Sequence, residues 1–294
     1  MIGRVVRVLS DRFAVDIGDR VVFVKSRKKI KRADNPLAGD LVYLTQDGEY
    51  VLAGIEPRKH RLIRPPVANV DQMIVTLAPL PDPDFFTVDK MLLSAHKEGV
   101  RTVLCVNKTD MLPDGFLARV HAQYTGVADE IVCACAAQGD TADLQRLLRG
   151  RFSCFAGQSA VGKTSLVNAI AGGHRQVGDL SEKTMRGKNT TTGVELIKLA
   201  PDTFIADTPG FGALDLQDIR AEELALYYDE YVQLAPQCQY RMCTHIGEPD
   251  CAVRKAAASG ALDNSRYERY KLLFAQLQQQ NAHRKFGRKT YENK

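Results

Sequence analysis

The sequence predicts a multidomain α/β protein: a small N-terminal β-barrel, a central α/β domain on a mainly parallel sheet, and a helical C-terminal segment. Three observations predict it. Val-rich runs of strand length, broken by Asp-Gly, Gly-Asp and Asn-Pro, fill the region up to "EYVLAGIEPR". From "QMIVTLAP" onward, apolar strand-like runs alternate with helix-like runs, as in sheets covered on both faces. Beyond about residue 220 the strand signal vanishes and helical spacing takes over. The expected units are residues 1–66, 67–220 and 221–294.

A chain of 294 residues with 45% hydrophobic content can bury a real core and suggests two or three domains. No apolar run approaches the ~20 residues needed to span a bilayer. Arg4, Arg7, Asp11 and Arg12 interrupt the start where a signal peptide needs an apolar core, so a cytoplasmic protein with no membrane partner is expected, as a monomer. Seven cysteines, an odd number scattered along the chain, do not read as a disulfide framework. Cys105, Cys133, Cys135 and Cys154 sit in strand-like runs and are expected to be buried.

Charge is unevenly spread. Residues 1–67 carry 14 basic and 8 acidic side chains, residues 68–251 carry 16 and 24, and residues 252–294 carry 10 and 3. Two basic flanks suit a polyanion, because each phosphate contact releases counterions.

The first segment holds about five short strands in some sixty residues, which suggests a closed barrel of the OB-fold type with a face open to oligonucleotides. Within it "KSRKKIKR", residues 25 to 32, gathers six positive charges in one expected loop, a candidate RNA contact. "RKHRLIRPP" reads as a linker, since Pro65 and Pro66 continue neither a helix nor a central strand. In the central domain, "RTVLCVNKTD", "DEIVCACAA", "RFSCFAGQS", "GVELIKLA" and "DTFIADTPG" read as strands with the loops that follow them, and "FFTVDKMLLSAHKEG" and "KTSLVNAIAG" as helices. In the last segment "DIRAEELALYYDEYVQLAP" and "DNSRYERYKLLFAQLQQQNAHRK" read as helices, with Tyr267, Tyr270, Leu273 and Leu277 placed to pack.

The motifs lie at strand ends, where open α/β sheets bind ligands. Gly157-Gln158-Ser159-Ala160-Val161-Gly162-Lys163-Thr164 fits G-x-x-x-x-G-K-[ST] between a strand-like run and a helix-like run, which continues through Ser165. Such a loop wraps phosphate oxygens with backbone N–H groups at a helix N-terminus. Lys163 would neutralise the β and γ phosphates, and Thr164 would ligate Mg²⁺. Asp207-Thr-Pro-Gly210 follows an apolar run; Asp207 can hold the magnesium shell, and the N–H of Gly210 can reach a γ-phosphate.

Asn107-Lys108-Thr109-Asp110 also leaves an apolar run. The Asp110 carboxylate can accept two parallel hydrogen bonds from the ring N–H and amine of guanine, a pair adenine lacks. Asn107 would tie this loop to the phosphate loop, and the stem of Lys108 would cover the base. "MRGKNTTTG", residues 185 to 193, reads as a switch loop whose threonine completes the Mg²⁺ shell. Spacing does not decide among Thr190, Thr191 and Thr192; Thr191, the middle one, is the candidate used. Cys133 and Ala134 are candidates for the backbone contact to the guanine oxygen. Finally, Cys238-x₄-Cys243-x-His245-x₅-Cys251 matches a tetrahedral structural zinc site with no position left for a catalytic water.

The guanine-reading motif precedes the phosphate loop, the reverse of the usual order. An N-terminal barrel, then N-K-x-D, the P-loop, T-T-T, D-x-x-G and C-x₄-C-x-H-x₅-C resembles the RsgA/YjeQ family of circularly permuted GTPases over essentially the whole chain. The resemblance implies an OB-fold, a circularly permuted P-loop GTPase domain and a helical zinc-binding domain. It also implies GTP hydrolysis stimulated by the small ribosomal subunit, contact with its rRNA, release of an assembly factor and a role in late maturation. Two positions depart from the expected pattern. Asn189 stands where the family has a histidine before the threonines, and Phe211 stands where Ras-like proteins place the water-orienting glutamine. Very slow intrinsic hydrolysis is the expectation.

Overall fold

The computed structural model describes residues 1–26, 35–62, 66–172, 194–207, 216 and 219–291. Most of the basic stretch 25–32 and all of 185–193 lie outside them, as do Gly210 and Phe211.

The first five strands are β1 (Ile2–Val8), β2 (Phe13–Asp16), β3 (Val21–Ser26), β4 (Leu41–Asp47) and β5 (Glu49–Ile55). β1 pairs antiparallel with both β2 and β4, β3 runs parallel to β5, and β4 pairs antiparallel with β5, so the sheet closes on itself. Alternation fills the interior with Val5, Phe13, Val15, Val24, Val42, Leu44 and Leu52. The expected linker is partly structured: β6 (Arg61–Leu62) pairs with β7 (Val67–Ala68).

The second sheet adds β8 (Gln72–Leu77), β9 (Arg101–Val106), β10 (Glu130–Cys133), β11 (Phe152–Gly157), β12 (Glu195–Ala200) and β13 (Thr203–Asp207). Its order is β10-β9-β8-β11-β13-β12, parallel except for β12. β1 also pairs with β12, so barrel and α/β sheet are continuous. That junction is reinforced where Arg4 lies over the rings of Phe152 and Phe204, and where Lys198 meets Asp16 at 2.8 Å.

Helices α1 (Phe85–Lys97), α2 (Phe116–Tyr124), α3 (Ala142–Leu148) and α4 (Lys163–Ala171) follow strands β8 to β11 in turn. α1 begins at Asp84, whose carboxylate accepts the Thr87 N–H at 3.1 Å, a side-chain N-cap. Its apolar residues serve two cores. Val88, Met91, Leu92 and Ala95 pack on the sheet, while Leu93 joins the C-terminal core.

That core gathers Tyr228, Tyr231, Val253, Tyr267, Tyr270, Leu273 and Leu277 around α5 (Asp229–Leu234), α6 (Ala252–Ser259) and α7 (Asn264–Tyr291). The stretch predicted as one helix around residue 228 is instead a 3-10 turn, Ala221–Tyr227, followed by α5. Tyr228 is extended between them, and its ring stacks on Tyr231 at 4.9 Å and meets the edge of Tyr270 at 5.1 Å. Aromatic packing overrides helical propensity there. Among the described residues no helix is long and apolar enough to cross a membrane.

Candidate nucleotide site and metal centre

From β8 the chain adds β9 and β10 on one side, while β11 and β13 lie on the other, so the order reverses between β8 and β11. Such a switch point opens a crevice at the carboxyl ends of the strands. Asn107 follows β9, Ala134 follows β10, Gly157 ends β11 and Asp207 ends β13. All four fall on that rim.

The loop between β11 and α4 takes left-handed backbone at Gly157 (φ 146°), Ala160 (φ 64°) and Gly162 (φ 94°). These bends let successive N–H groups face one anion. Two glycines are also required by contact. A Cβ on Gly157 would lie 2.3 Å from the Thr76 carbonyl oxygen, and one on Gly162 would lie 2.3 Å from Asn107 Nδ2. Lys163 Nζ donates to the carbonyls of Gly157 and Gln158, both at 2.7 Å, and burial lowers its pKa. The charge of Lys163 is thus held on its own loop by two carbonyl oxygens, which an anion's oxygens could replace. Thr164 and Ser165 are exposed on the first turn of α4, Ser159 is exposed in the loop, and the Gln158 side-chain oxygen accepts the Asp84 N–H at 3.1 Å.

Asn107 is buried and bonded on three sides. Its N–H donates to Leu77 at 2.8 Å, its Nδ2 to the Val161 carbonyl at 2.8 Å, and its Oδ1 accepts the Ala136 N–H at 3.2 Å. Lys108, itself left-handed at φ 61°, reaches across to the carbonyls of Leu80 at 2.7 Å and Ala160 at 2.9 Å. Thr109 begins a 3-10 turn, and its N–H points to the Ala134 carbonyl at 3.4 Å. Asp110 is exposed and accepts the Cys135 thiol at 3.1 Å.

The structure therefore brings the predicted Asn107, Lys108, Ala160, Val161 and Gly162 together. It also brings in Cys135, expected from the sequence only as a buried strand residue, and Ala136, which the sequence did not single out. The β10 run ends at Cys133, so the next loop starts at Ala134, whose N–H is committed to Val106 at 2.8 Å. Cys133 is exposed rather than buried, because β10 lies at the end of the sheet order and alternation turns this residue outward. Cys105, Cys135 and Cys154 are buried as expected, and burial pushes the Cys105 thiol up to about 12. Of the predicted switch residues, Thr191 and Gly210 lie outside the described residues.

The metal-binding motif converges. The donor atoms of Cys238, Cys243, His245 and Cys251 all lie within 4.8 Å of one another. His245 Nδ1 sits 3.7 Å from Cys238 Sγ and 3.4 Å from Cys251 Sγ. Metal–ligand bonds of ~2.3 Å to sulfur and ~2.0 to 2.1 Å to nitrogen give a tetrahedral N–S edge of roughly 3.5 Å, so the four donors fit a metal ion. The shell around them is built from residues the motif did not reveal. Tyr267 OH donates to the His245 carbonyl at 2.7 Å, and Tyr270 OH to the Thr244 carbonyl at 2.6 Å. Glu248 accepts the N–H groups of Thr244, Ile246 and Gly247 and the Thr244 hydroxyl at 2.6 to 3.1 Å. Burial alone would raise this carboxyl, but the hydrogen bonds led by Thr244 win and hold it at about 2. Fixed second partners of this kind orient metal ligands.

Residues 55–217 match the family described as RsgA GTPase. The small ribosomal subunit biogenesis GTPase RsgA of Caldanaerobacter subterraneus subsp. tengcongensis is 36% identical over 289 residues, covering 96% of this chain and 97% of that protein. Its namesake from Thermotoga maritima is 36% identical over 89% of this chain and 90% of its own. Among solved structures, YjeQ from Thermotoga maritima aligns with a TM-score of 0.80 at 32% identity, covering 94% of this chain and 98% of that one. YloQ, described as a circularly permuted GTPase, aligns with a TM-score of 0.78 at 29% identity, covering 95% of each chain.

Proposed function

The chain belongs to the RsgA GTPase family, and from that premise we propose that it hydrolyses GTP on the small ribosomal subunit, late in the maturation of that particle. The observation that carries this reading is the Asn107 bridge. One buried amide joins the guanine-reading loop to the phosphate loop across the switch point, as a single purine triphosphate would require.

In this reading Asp110 selects guanine, the half-buried Ala136 lines the base from the far side while Ala134 and Cys135 lie buried behind it, and the N–H groups of Gly157 to Lys163 cradle the phosphates. Lys163 leaves its two carbonyls for the β and γ oxygens. The exposed Thr164 hydroxyl and Asp207 at the end of β13 form a hard-oxygen donor set suited to Mg²⁺, with Thr191 completing it. Magnesium, when bound, neutralises charge developing on the β and γ phosphates. Gly210 gives its N–H to the γ-phosphate. Phe211 offers no hydrogen bond to orient the attacking water, and Asn189 can orient water but cannot titrate near neutrality, so turnover by the free protein should be slow and should rise when the subunit orders the switch loops.

Three thiolates and one imidazole suit zinc. With all four positions used by protein, zinc serves here as a structural staple, worth an apparent ~10 to 16 kcal/mol in comparable small domains. The basic barrel and basic tail would grip rRNA. Loss of the γ-phosphate would loosen that grip, and an assembly factor would leave with the change of state. The test is co-sedimentation with small and large subunits under GTP, GDP and a non-hydrolysable analogue, with turnover measured in parallel. Equal turnover with and without small subunits would sink the proposal.

A further inference from the structure

Asp89 lies on α1 of the central domain, yet two of its partners come from the far end of the chain. Arg266 Nη1 on α7 donates to Asp89 Oδ1 at 2.6 Å, Arg269 Nε on the same helix donates to Asp89 Oδ2, and Tyr124 OH at the end of α2 donates to Oδ1 at 2.9 Å. Arg266 also meets Glu230 of α5 at 2.8 Å. Asp89, Arg266 and Tyr124 are 3%, 7% and 0% exposed. A fully paired ionic cluster at this depth defines one docking geometry, because any sliding of α7 on α1 would leave a buried charge without its partner.

The two ends of this cluster lead to the two sites. Five residues before Asp89, about 7.5 Å along a helix axis, Asp84 caps α1 and gives its N–H to Gln158 of the phosphate loop. On the other side, Tyr267 and Tyr270 alternate along α7 with Arg266 and Arg269 and fasten the backbone at His245 and Thr244. Two helices thus run from the P-loop to the metal-binding loop, joined among the described residues by apolar contact, by this cluster and by Arg269 lying over the Phe85 ring of α1 at 5.5 Å.

We propose that Asp89, Arg266, Arg269 and Tyr124 form a latch through which the C-terminal domain positions the P-loop. They are positioning residues for GTP binding and hydrolysis and touch no substrate. Coupling of this kind is reciprocal, so nucleotide in the P-loop tightens the latch by as much as the latch tightens nucleotide. The proposal rests on the P-loop being the nucleotide cradle, but its mechanical part can be read without nucleotide.

The test uses the full chain carrying Arg269→Ala, Arg269→Lys and Asp89→Asn. Hydrogen exchange at residues 157–163 is followed without nucleotide, then kcat and KM for GTP are measured. Arg269→Ala and Asp89→Asn should speed exchange at the P-loop and raise KM roughly five- to tenfold, in the lower range of typical site-to-site coupling. Arg269→Lys, which keeps the charge but loses the planar fork, should fall between. GTP added to the unaltered protein should slow exchange across residues 264–270. If Asp89→Asn does not fold, Arg269→Ala decides, since its side chain sits at the rim, 13% exposed. Variants that melt earlier but keep P-loop exchange and KM unchanged would reduce the cluster to a structural contact and overturn the proposal. Failure of the unaltered protein to bind GTP would instead sink the nucleotide-site reading, and the exchange comparison would still judge the latch.

Discussion

The side-chain amide of Asn107 donates to the Val161 carbonyl at 2.8 Å, spanning 54 residues of sequence. A pocket depends on where its loops lie in space, so the reversed order of the two motifs along the chain leaves their meeting intact. Asn107→Ala removes the donor and strands the Val161 and Ala136 partners, a loss of about 1–3 kcal/mol. GTP affinity, measured calorimetrically with magnesium, should fall tenfold or more (roughly 1.4 kcal/mol per decade).

In the proposed function the exposed Asp110 carboxylate reads guanine, and exchanging it for an amide reverses one hydrogen-bond direction. Asp110→Asn should abolish discrimination for GTP and favour xanthosine triphosphate, whose carbonyl replaces the guanine amine. Cys135→Val, which removes only the thiol donor to Asp110, should weaken GTP binding a few-fold without changing base preference. Competition assays with both nucleotides separate the two outcomes.

Burial lowers the Lys163 pKa in the free protein, whereas bound phosphates favour its charged form. The affinity gained from this charge is complete below the lowered pKa and declines as pH rises through it, earlier than for an ordinary lysine near 10.5. A titration of GTP affinity toward alkaline pH should show that decline. Lys163→Arg, which stays charged, should remove the lysine's share of the slope, and whatever slope remains belongs to the base.

Gly162→Ala places a methyl 2.3 Å from Asn107 Nδ2 at a residue with φ 94°. The variant should fold, because the clash is confined to the loop and one side chain, and should lose nucleotide binding as fully as Asn107→Ala. Retained binding would show that the two loops adjust independently.

Elemental analysis should find one metal ion per chain, held by Cys238, Cys243, His245 and Cys251. The chain has no tryptophan and ten tyrosines, and Tyr231 lies edge-on to His245 at 5.8 Å. Stripping the metal should therefore change tyrosine fluorescence and loosen residues 238–251, while the circular dichroism of the central sheet persists. Cys251→Ser should reproduce the change without a chelator.

The strand-end loops at residues 107–110 and 157–164 and the convergence of Cys238, Cys243, His245 and Cys251 were legible because each depends on short-range spacing next to a strand or a turn. Barrel strands and α7 were legible from periods of two and about 3.6 residues. Cys133 was misread as buried because alternation fixes which residues share a face but does not reveal which strand lies at the end of the sheet. The helix through Tyr228 was broken by rings from α7, some forty residues away. Asp89 reads as an ordinary polar residue in an amphipathic helix, and only the fold shows that Arg266 and Arg269 reach it. Glu248 likewise looks like loop decoration until its four donors are in place.

β1 is claimed by three neighbours, β2 and β4 in the barrel and β12 in the central sheet. Cutting the chain after the barrel would therefore expose backbone along β12 and unstack Arg4 from Phe152 and Phe204, inviting sticky self-association. A soluble amputated GTPase would need a replacement strand or polar substitutions on that flank. Insertions, by contrast, should be harmless at the tip between Val8 and Phe13, where the polypeptide leaves this shared rib and turns back toward solvent.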